Sequence, residues 1–355
     1  MTQLENLNWY GHYNTVTGYG IVNIEFPLAI QRAGVDVSYG WERYDYRHPE
    51  WNHLNNEQRL FITKPYEKRK VGIIKALPTE FGYNISDIRI GYTMVENTMI
   101  NDEWVRECNK MDAIFVPSEF LISVFQNCGV KVPVLAVRQG IRSELYPFYD
   151  RSERIQDKFI FGTVGFMDER KNWKDLISAF TSEFDPSEPV ELWIKNSNNE
   201  WGYFDLVDER IKVIKTRYTF EEMNRLYQMM DCFVCPSHAE GSGLTPREAM
   251  ATGLPTIVTN WSGLTEVSDP SICFPLTPVA IDFPDFRKDE QPGFQARLDV
   301  RELMYQMRYV VEHRTEALVK GKKASDFIHK EYNWDKCAQI LLGQVQKVVE
   351  EHGKV

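Results

Sequence analysis

Two carboxylates, Glu240 and Glu248, stand on either side of a glycine-rich turn, Gly241-Ser242-Gly243-Leu244, whose spacing predicts the opening of a helix. Glu240 is expected on the loop and Glu248 in the first turn of that helix. Each carboxylate can chelate hydroxyls on a separate part of a ligand. Between them, backbone N–H groups at a helix N-terminus face an anion. Polyol, phosphate, polyol is the outline of a sugar nucleotide. The structural alternative is an ordinary strand-loop-helix unit with a glycine turn and two surface carboxylates.

A second group of residues could serve the same ligand. Gly162-Thr163-Val164-Gly165-Phe166 ends a predicted strand, and Asp168-Glu169-Arg170-Lys171-Asn172 leads into a predicted helix. A dianionic leaving group needs its developing charge stabilised, by a metal or by fixed cations and N–H dipoles. Arg170, Lys171 and, at the end of the next strand, Lys195 are the cations on offer. No Asp-x-Asp follows a strand in the first half of the chain, so transfer without a metal is expected. Near the N-terminus, Gly18 and Gly20 open the first helix, where glycine lets the backbone approach a phosphate or sugar. The spacing Gly11, Gly18, Gly20 does not make GxGxxG, which leaves a nicotinamide or flavin cofactor poorly supported.

Taken whole, the run from Cys235 to Pro255 resembles the donor-binding motif of retaining GT-B glycosyltransferases, in particular glycosyltransferase family 4, the glycosyl transferases group 1. The family pattern is Pro-Ser, a short gap, Glu-Gly-hydrophobic-Gly-Leu, a helix containing Glu-Ala-Met-Ala, then Gly-x-Pro. Here Pro236-Ser237, Glu240 to Leu244, Glu248 to Ala251 and Gly253-Leu254-Pro255 fill it, with Ser242 in place of the hydrophobic residue. The resemblance implies that Glu240 holds sugar hydroxyls near the anomeric carbon and Glu248 the ribose. It implies that Ser242, Gly243 and Leu244 offer N–H groups to sugar and phosphate, and that Lys171 stabilises the departing diphosphate. The family places an Arg directly after the glycine of the first stretch. This chain has Phe166 there, and Arg170 or Lys195 is the candidate replacement. Gly18 and Gly20 would face the donor, and Tyr218 would lie near the nucleobase.

On the acceptor side, Gly91-Tyr92-Thr93-Met94-Val95-Glu96, followed by Trp104, resembles a run found in part of that family. Glu96 could accept a hydrogen bond from an attacking hydroxyl, or simply cap a helix. His12 is a polar loop residue with no evident partner. Val116 to Phe120, Gln139-Gly140-Ile141 and the turn Asn260-Trp261-Ser262-Gly263 match family pieces read as structural first. The likeness is good over residues 91–267, loose in the last third and absent over 41–70.

Elements able to position these residues follow from periodicity. Strands are predicted at 7–10, 35–39, 71–77, 88–94, 113–116 and 132–137, with helices at 21–33, 104–110 and 119–128 between them. After a polar stretch at 146–157 the alternation restarts, with strands at 159–164, 190–195, 211–214, 232–235 and 256–259. Helices are predicted there at 173–180, 220–230 and 246–252, the second opened by a Thr219/Glu222 capping box. An irregular excursion at 281–299 precedes a helix from Arg301 and a last helix at 335–350. Strand-helix alternation implies parallel sheets. The expected fold is α/β, and the resemblance makes it GT-B, two Rossmann-like parallel-sheet domains facing across a cleft. The domains would be 1–150 and 151–333, with 334–355 a helix packing back on the first.

Composition bounds the rest. A chain of 355 residues is too long for one core. No run of apolar residues reaches the length of a membrane span, and the first twenty residues do not read as a signal peptide. A cytoplasmic protein is expected, with peripheral association with a membrane left open. The net charge of −10 argues against a nucleic-acid partner, and the basic stretch Lys64 to Lys70 reads as a solvated loop. Cys232 and Cys235 form a CxxC without a second pair at zinc spacing, which suits a core strand with free thiols. The expected activity is transfer of a hexose from a nucleotide diphosphate sugar, as co-substrate and without further cofactor, to an acceptor hydroxyl of undefined carrier, saccharide, lipid-linked or other. A GT-B nucleotide-sugar epimerase and a catalytically degenerate sugar-nucleotide-binding protein are the alternatives.

Overall fold

The computed structural model describes residues 4–13, 18–40, 54–154, 157–166, 168–196, 208–283 and 293–353. Thr17 of the glycine turn, Met167, residues 41–53 of the unassigned stretch and 284–292 of the excursion lie outside them. The chain divides into two compact units, Met1–Gly140 with Glu331–Val355, and Ile141–Lys330.

The first unit runs β1 (Asn6–Gly11), α1 (Gly18–Arg32), β2 (Asp36–Tyr39), α2 (Asn56–Ile62), β3 (Val71–Lys75), β4 (Ile88–Tyr92), α3 (Asp102–Cys108), β5 (Ala113–Val116), α4 (Glu119–Asn127) and β6 (Val134–Ala136). Its sheet has the order β2-β1-β3-β4-β5-β6, and every pairing is parallel. Successive side chains on a strand point to opposite faces, so each face fills its own core. Trp9, Ile73 and Phe115 join one cluster with Val22, Phe26 and Ala29 of α1. Their neighbours Tyr10, Ile74 and Ile114 join another with Leu121 and Phe125 of α4.

The second unit runs β7 (Phe159–Val164), α5 (Trp173–Glu183), β8 (Val190–Lys195), β9 (Ile211–Ile214), α6 (Phe220–Met229), β10 (Cys232–Cys235), α7 (Leu244–Ala251), β11 (Thr256–Thr259), β12 (Phe274–Leu276), β13 (Ala280–Asp282), β14 (Gln295–Arg297), α8 (Val300–Glu312) and α9 (Arg314–Glu331). Its parallel sheet is ordered β12-β11-β10-β7-β8-β9, and β13 and β14 form a separate antiparallel pair. Cys232 to Cys235 are all buried in β10, and all six cysteines are free thiols.

The last helix, α10 (Trp334–His352), belongs to the first unit. Trp334, Cys337, Ala338, Leu341, Val345 and Val348 make one apolar stripe at helical spacing, and all join the α1 core. The Trp334 ring meets Phe26 edge-on at 5.0 Å. With sheet on one side and α10 on another, α1 buries every residue from Val22 to Ile30.

Several expectations are corrected. Helix α1 starts at Gly18, so Gly18 and Gly20 lie in its first turn. Helix α7 starts at Leu244, ahead of the expected 246, because Gly243 takes a left-handed φ of 79° and turns the chain early. Pro246 is tolerated in the first turn, where its missing N–H would have no helical partner. Glu248 therefore lies in the second turn. The helix expected from Arg301 is two, α8 and α9, parted at His313. Within the unassigned stretch, Asn55 and Gln58 close a capping box that starts α2. Among the described residues no helix is long and apolar enough to cross a membrane.

Candidate functional site

In an open α/β sheet, ligands bind beyond the carboxyl ends of the strands where the strand order reverses. In the second unit the chain lays β8 and β9 to one side of β7, then returns to lay β10 on its other side. The reversal falls between β7 and β10. Lys171 follows the first of these strands and Glu240 the second, and their side chains meet there, Nζ donating to Oε1 at 2.6 Å. The Arg170 guanidinium reaches the other carboxylate oxygen at 3.0 Å and donates to the Ala239 carbonyl at 2.7 Å.

Local geometry fixes both partners. Asp168 accepts from the Lys171 N–H and caps a short 3-10 turn, Glu169–Lys171. Asn172, with φ of 55°, then turns the chain into α5. Glu240 is held through its backbone. Its N–H donates to Ser262 Oγ at 2.8 Å, and its carbonyl accepts from the Gly263 N–H at 2.9 Å. A Cβ on Gly263 would stand 2.4 Å from the Gly241 carbonyl oxygen, so only glycine lets these two segments close. Burial opposes ionisation of Glu240, but Arg170 and Lys171 outweigh it and hold the carboxyl down at about 2.

Gly243, Leu244 and the start of α7 follow directly. Thr245 Oγ1 donates to the Val164 carbonyl at 3.4 Å and ties the helix start to the end of β7. The first-turn N–H groups of α7 have no partner within the helix. Arg247 donates to Ser242 Oγ at 2.6 Å, so the Ser242 hydroxyl is turned inward and the residue has its backbone to offer.

Glu248 sits in a different environment. Tyr227 donates to its Oε2 at 2.9 Å, and Tyr146 is a second hydroxyl partner. The two tyrosines are buried and meet edge-on at 5.8 Å. Burial raises the Glu248 carboxyl to about 7, against the opposing pull of both hydroxyls and of Arg142. The two motif carboxylates are thus pushed in opposite directions, one by cations and the other by burial. Lys195 ends β8 with its ammonium 5.1 Å from the Tyr218 ring centre, and burial lowers its pKa. Phe166 is about half exposed (48%) beside these groups in the chain.

The sequence-predicted residues fall into two sets. Glu240, Lys171, Arg170, Lys195, Tyr218, Ser242, Gly243, Leu244 and Glu248 all belong to the second unit. Glu240, Lys171 and Arg170 are in direct contact. Gly18, Gly20, His12 and Glu96 belong to the first unit. There His12 has a partner after all, Glu80 at 2.8 Å. Glu96 is not a helix cap, since Asn101 caps α3. Sequence reasoning missed Tyr146, Tyr227, Ser262 and Arg247. The Asn260 to Gly263 turn was visible, but its contact with Glu240 was not. Nothing local marks the tyrosines.

Comparison with known proteins bears on the family and the fold. Residues 158–278 match the family model described as Glycosyl transferases group 1. A stretch of 117 residues, 33% of the chain, is 49% identical to the lipopolysaccharide core biosynthesis mannosyltransferase LpsB of Rhizobium meliloti, of which it covers 31%. The match thus spans less than a third of that relative's length. Among solved structures the chain resembles sucrose-phosphate synthase from Thermosynechococcus elongatus, with a TM-score of 0.72 and 14% identity over 98% of this chain and 100% of that one. It also resembles Anabaena HepE in complex with UDP and glucose, with a TM-score of 0.67 and 13% identity over 97% and 100% of the two chains. These likenesses show the GT-B fold. Residues 158–278, which carry Lys171 and Glu240 beyond the β7–β10 reversal and Glu248 on α7, are thus the part of the chain that matches the glycosyl transferases group 1 family.

Proposed function

We propose that this protein is a glycosyltransferase that moves a hexose from a nucleotide diphosphate sugar to an acceptor hydroxyl with retention of configuration. The observation that carries the reading is the cluster of Lys171 with the buried Glu240 and Arg170 at the strand reversal of a region that matches the glycosyl transferases group 1 family. Glu240, ionised at any ordinary pH, accepts hydrogen bonds from sugar hydroxyls. Lys171 leaves Glu240 to meet the diphosphate, whose charge the α7 N–H groups of Gly243 and Leu244 also face. Arg170, already engaged by Glu240 and Ala239, holds the Glu240 loop in place, so Lys171 and Lys195 are the cations for the phosphates. Glu248 takes the ribose hydroxyls. Ser242 contributes its backbone, and Tyr218 lies toward the base.

In the reaction the bond from the anomeric carbon to the diphosphate oxygen breaks. A bond to the acceptor oxygen forms on the same face, and the hydroxyl proton passes to the diphosphate. Fixed charges supply the stabilisation that a metal gives elsewhere. Similarity to a mannosyltransferase and a synthase favours transfer over epimerisation. HepE, solved with UDP and glucose, supports a nucleotide-sugar donor.

A thermal-shift screen of nucleoside diphosphates and their sugars tests the reading, because a ligand bound only by the folded state stabilises it. One donor should raise the Tm, and Glu240→Ala should abolish transfer from it while the variant stays folded. A fully active Glu240→Ala protein would remove the reading.

A further inference from the structure

Both oxygens of the Glu240 carboxylate are occupied. Lys171 Nζ stands 2.6 Å from Oε1, and Arg170 Nη1 stands 3.0 Å from Oε2. Ser237 is a further hydrogen-bond partner of the same carboxylate. The two cations are not held alike. Arg170 also donates to the Ala239 carbonyl at 2.7 Å, and its other terminal nitrogen lies 3.8 Å from Asp168. Among the described residues, Lys171 Nζ donates to Glu240 alone. Its stem crosses Gly165 at the end of β7. A Cβ on that glycine, whose φ is 151°, would stand 3.2 Å from Lys171 Cε. A flexible stem resting on a glycine can swing, whereas a guanidinium tied at several points is fixed.

The resting contact stands in the way of the roles proposed for these residues. Reaching a phosphate takes the Lys171 ammonium away from Oε1. Removing one partner from a buried charge pair is strongly unfavourable, because the remaining charge is left without compensation. Glu240 is 7% exposed and falls under this rule. A nucleoside diphosphate draws Lys171 off and puts nothing in its place. A nucleotide sugar draws Lys171 off with its phosphates and brings sugar hydroxyls to Oε1 in the same step. The exchange is balanced only for the molecule that carries both groups.

We propose that the Glu240–Lys171 ion pair competes with the diphosphate product and so sets the preference of the site for intact donor over spent nucleotide. Once the sugar has left with the acceptor, Glu240 draws Lys171 back and the diphosphate loses that cation. This rests on the transfer reading and adds product release to it.

Calorimetric titration of the full chain with UDP and UDP-glucose, and with GDP and GDP-mannose, tests the idea. Wild type should bind the sugar nucleotide of one pair at least about tenfold more tightly than its diphosphate, the scale of one hydrogen bond to a charged group. This comparison uses no variant. Glu240→Gln keeps the shape and releases Lys171. It should bind that diphosphate at least about tenfold more tightly than wild type does, while the sugar nucleotide gains less. Removing a carboxylate also favours any anion through space. Glu240→Gln added to Lys171→Met separates the two causes, because the gain should vanish there and a through-space gain would persist.

A wild type that binds the diphosphate as tightly as its sugar overturns the proposal. So does a diphosphate affinity that Glu240→Gln leaves unchanged or weakens, or a gain that survives in the Lys171→Met background. In each of these results the wild type still binds a nucleotide sugar, so the donor reading stands. A wild type that binds neither pair overturns both.

Discussion

Under the proposed function, the raised carboxyl of Glu248 should make donor affinity depend on pH near neutrality. If Glu248 accepts hydrogen bonds from ribose hydroxyls, only its ionised form binds well. With a pKa of about 7, roughly one Glu248 in ten is ionised one pH unit lower, so affinity should fall about tenfold there. Tyr227 donates to this carboxylate at 2.9 Å and favours its ionised form. A hydrogen bond to a charged group contributes about 1.5–3 kcal/mol, and 1.36 kcal/mol is about one pKa unit. Tyr146 remains as a second donor, so Tyr227→Phe should move the midpoint up by about one unit. The assay is calorimetric titration with a nucleotide sugar between about pH 6 and 8, because a sugar nucleotide lacks the terminal phosphate that itself titrates near about 6. Wild-type affinity should climb with pH, Tyr227→Phe should climb later, and Glu248→Gln should be weak and flat. The same shift has a stability counterpart. A carboxyl whose folded pKa lies above its unfolded value of 4.5 supports the fold below 4.5 and loses that support as pH rises through about 7. Glu248→Gln should accordingly melt higher than wild type above neutrality. A wild-type affinity independent of pH, with Glu248→Gln still weakened, would refute the argument, since the carboxylate would then be ionised throughout.

Three further outcomes follow from the geometry. Lys171→Ala should cut kcat about 100-fold, the scale of one lost transition-state donor, and weaken nucleotide affinity less; unchanged kinetics would move leaving-group stabilisation to another cation. Gly263→Ala places a Cβ 2.4 Å from the Gly241 carbonyl oxygen and should cost about 1–3 kcal/mol in urea unfolding, with donor binding lost alongside; a variant of wild-type stability would show that the two segments can part freely. Leu341→Ala, on the buried stripe of α10, should destabilise the first unit by about 2–5 kcal/mol while the nucleotide-induced shift of the second persists; equal loss in both would contradict separate cores.

What the sequence disclosed and what it hid have physical causes. Strands 159–164, 190–195, 211–214, 232–235 and 256–259 were legible to the residue, because buried parallel strands are short apolar runs bounded by polar turns. The Thr219/Glu222 cap was legible because both its hydrogen bonds are local. The start of α7 was misjudged because it depends on the left-handed φ of Gly243, and Pro246 drew the boundary toward itself. Lys171 and Glu240 could be named as chemistry but not as partners, since 69 positions separate them in the chain. Tyr146 and Tyr227 escaped altogether. A tyrosine that orients a carboxylate looks, in one dimension, like any core aromatic.

The discontinuity of the first unit sets an order of assembly. A nascent chain releases all the residues of the Ile141–Lys330 unit before α10 emerges to cover α1. Domains form as units during synthesis, so the stretch made first is finished last. Until then Val22, Phe26 and Ala29 face water without the stripe that closes over them. Translation halted between 331 and 353 would yield a complete second unit attached to an unfinished, adhesive first one, and quality control would recognise the damage far from the codon that caused it.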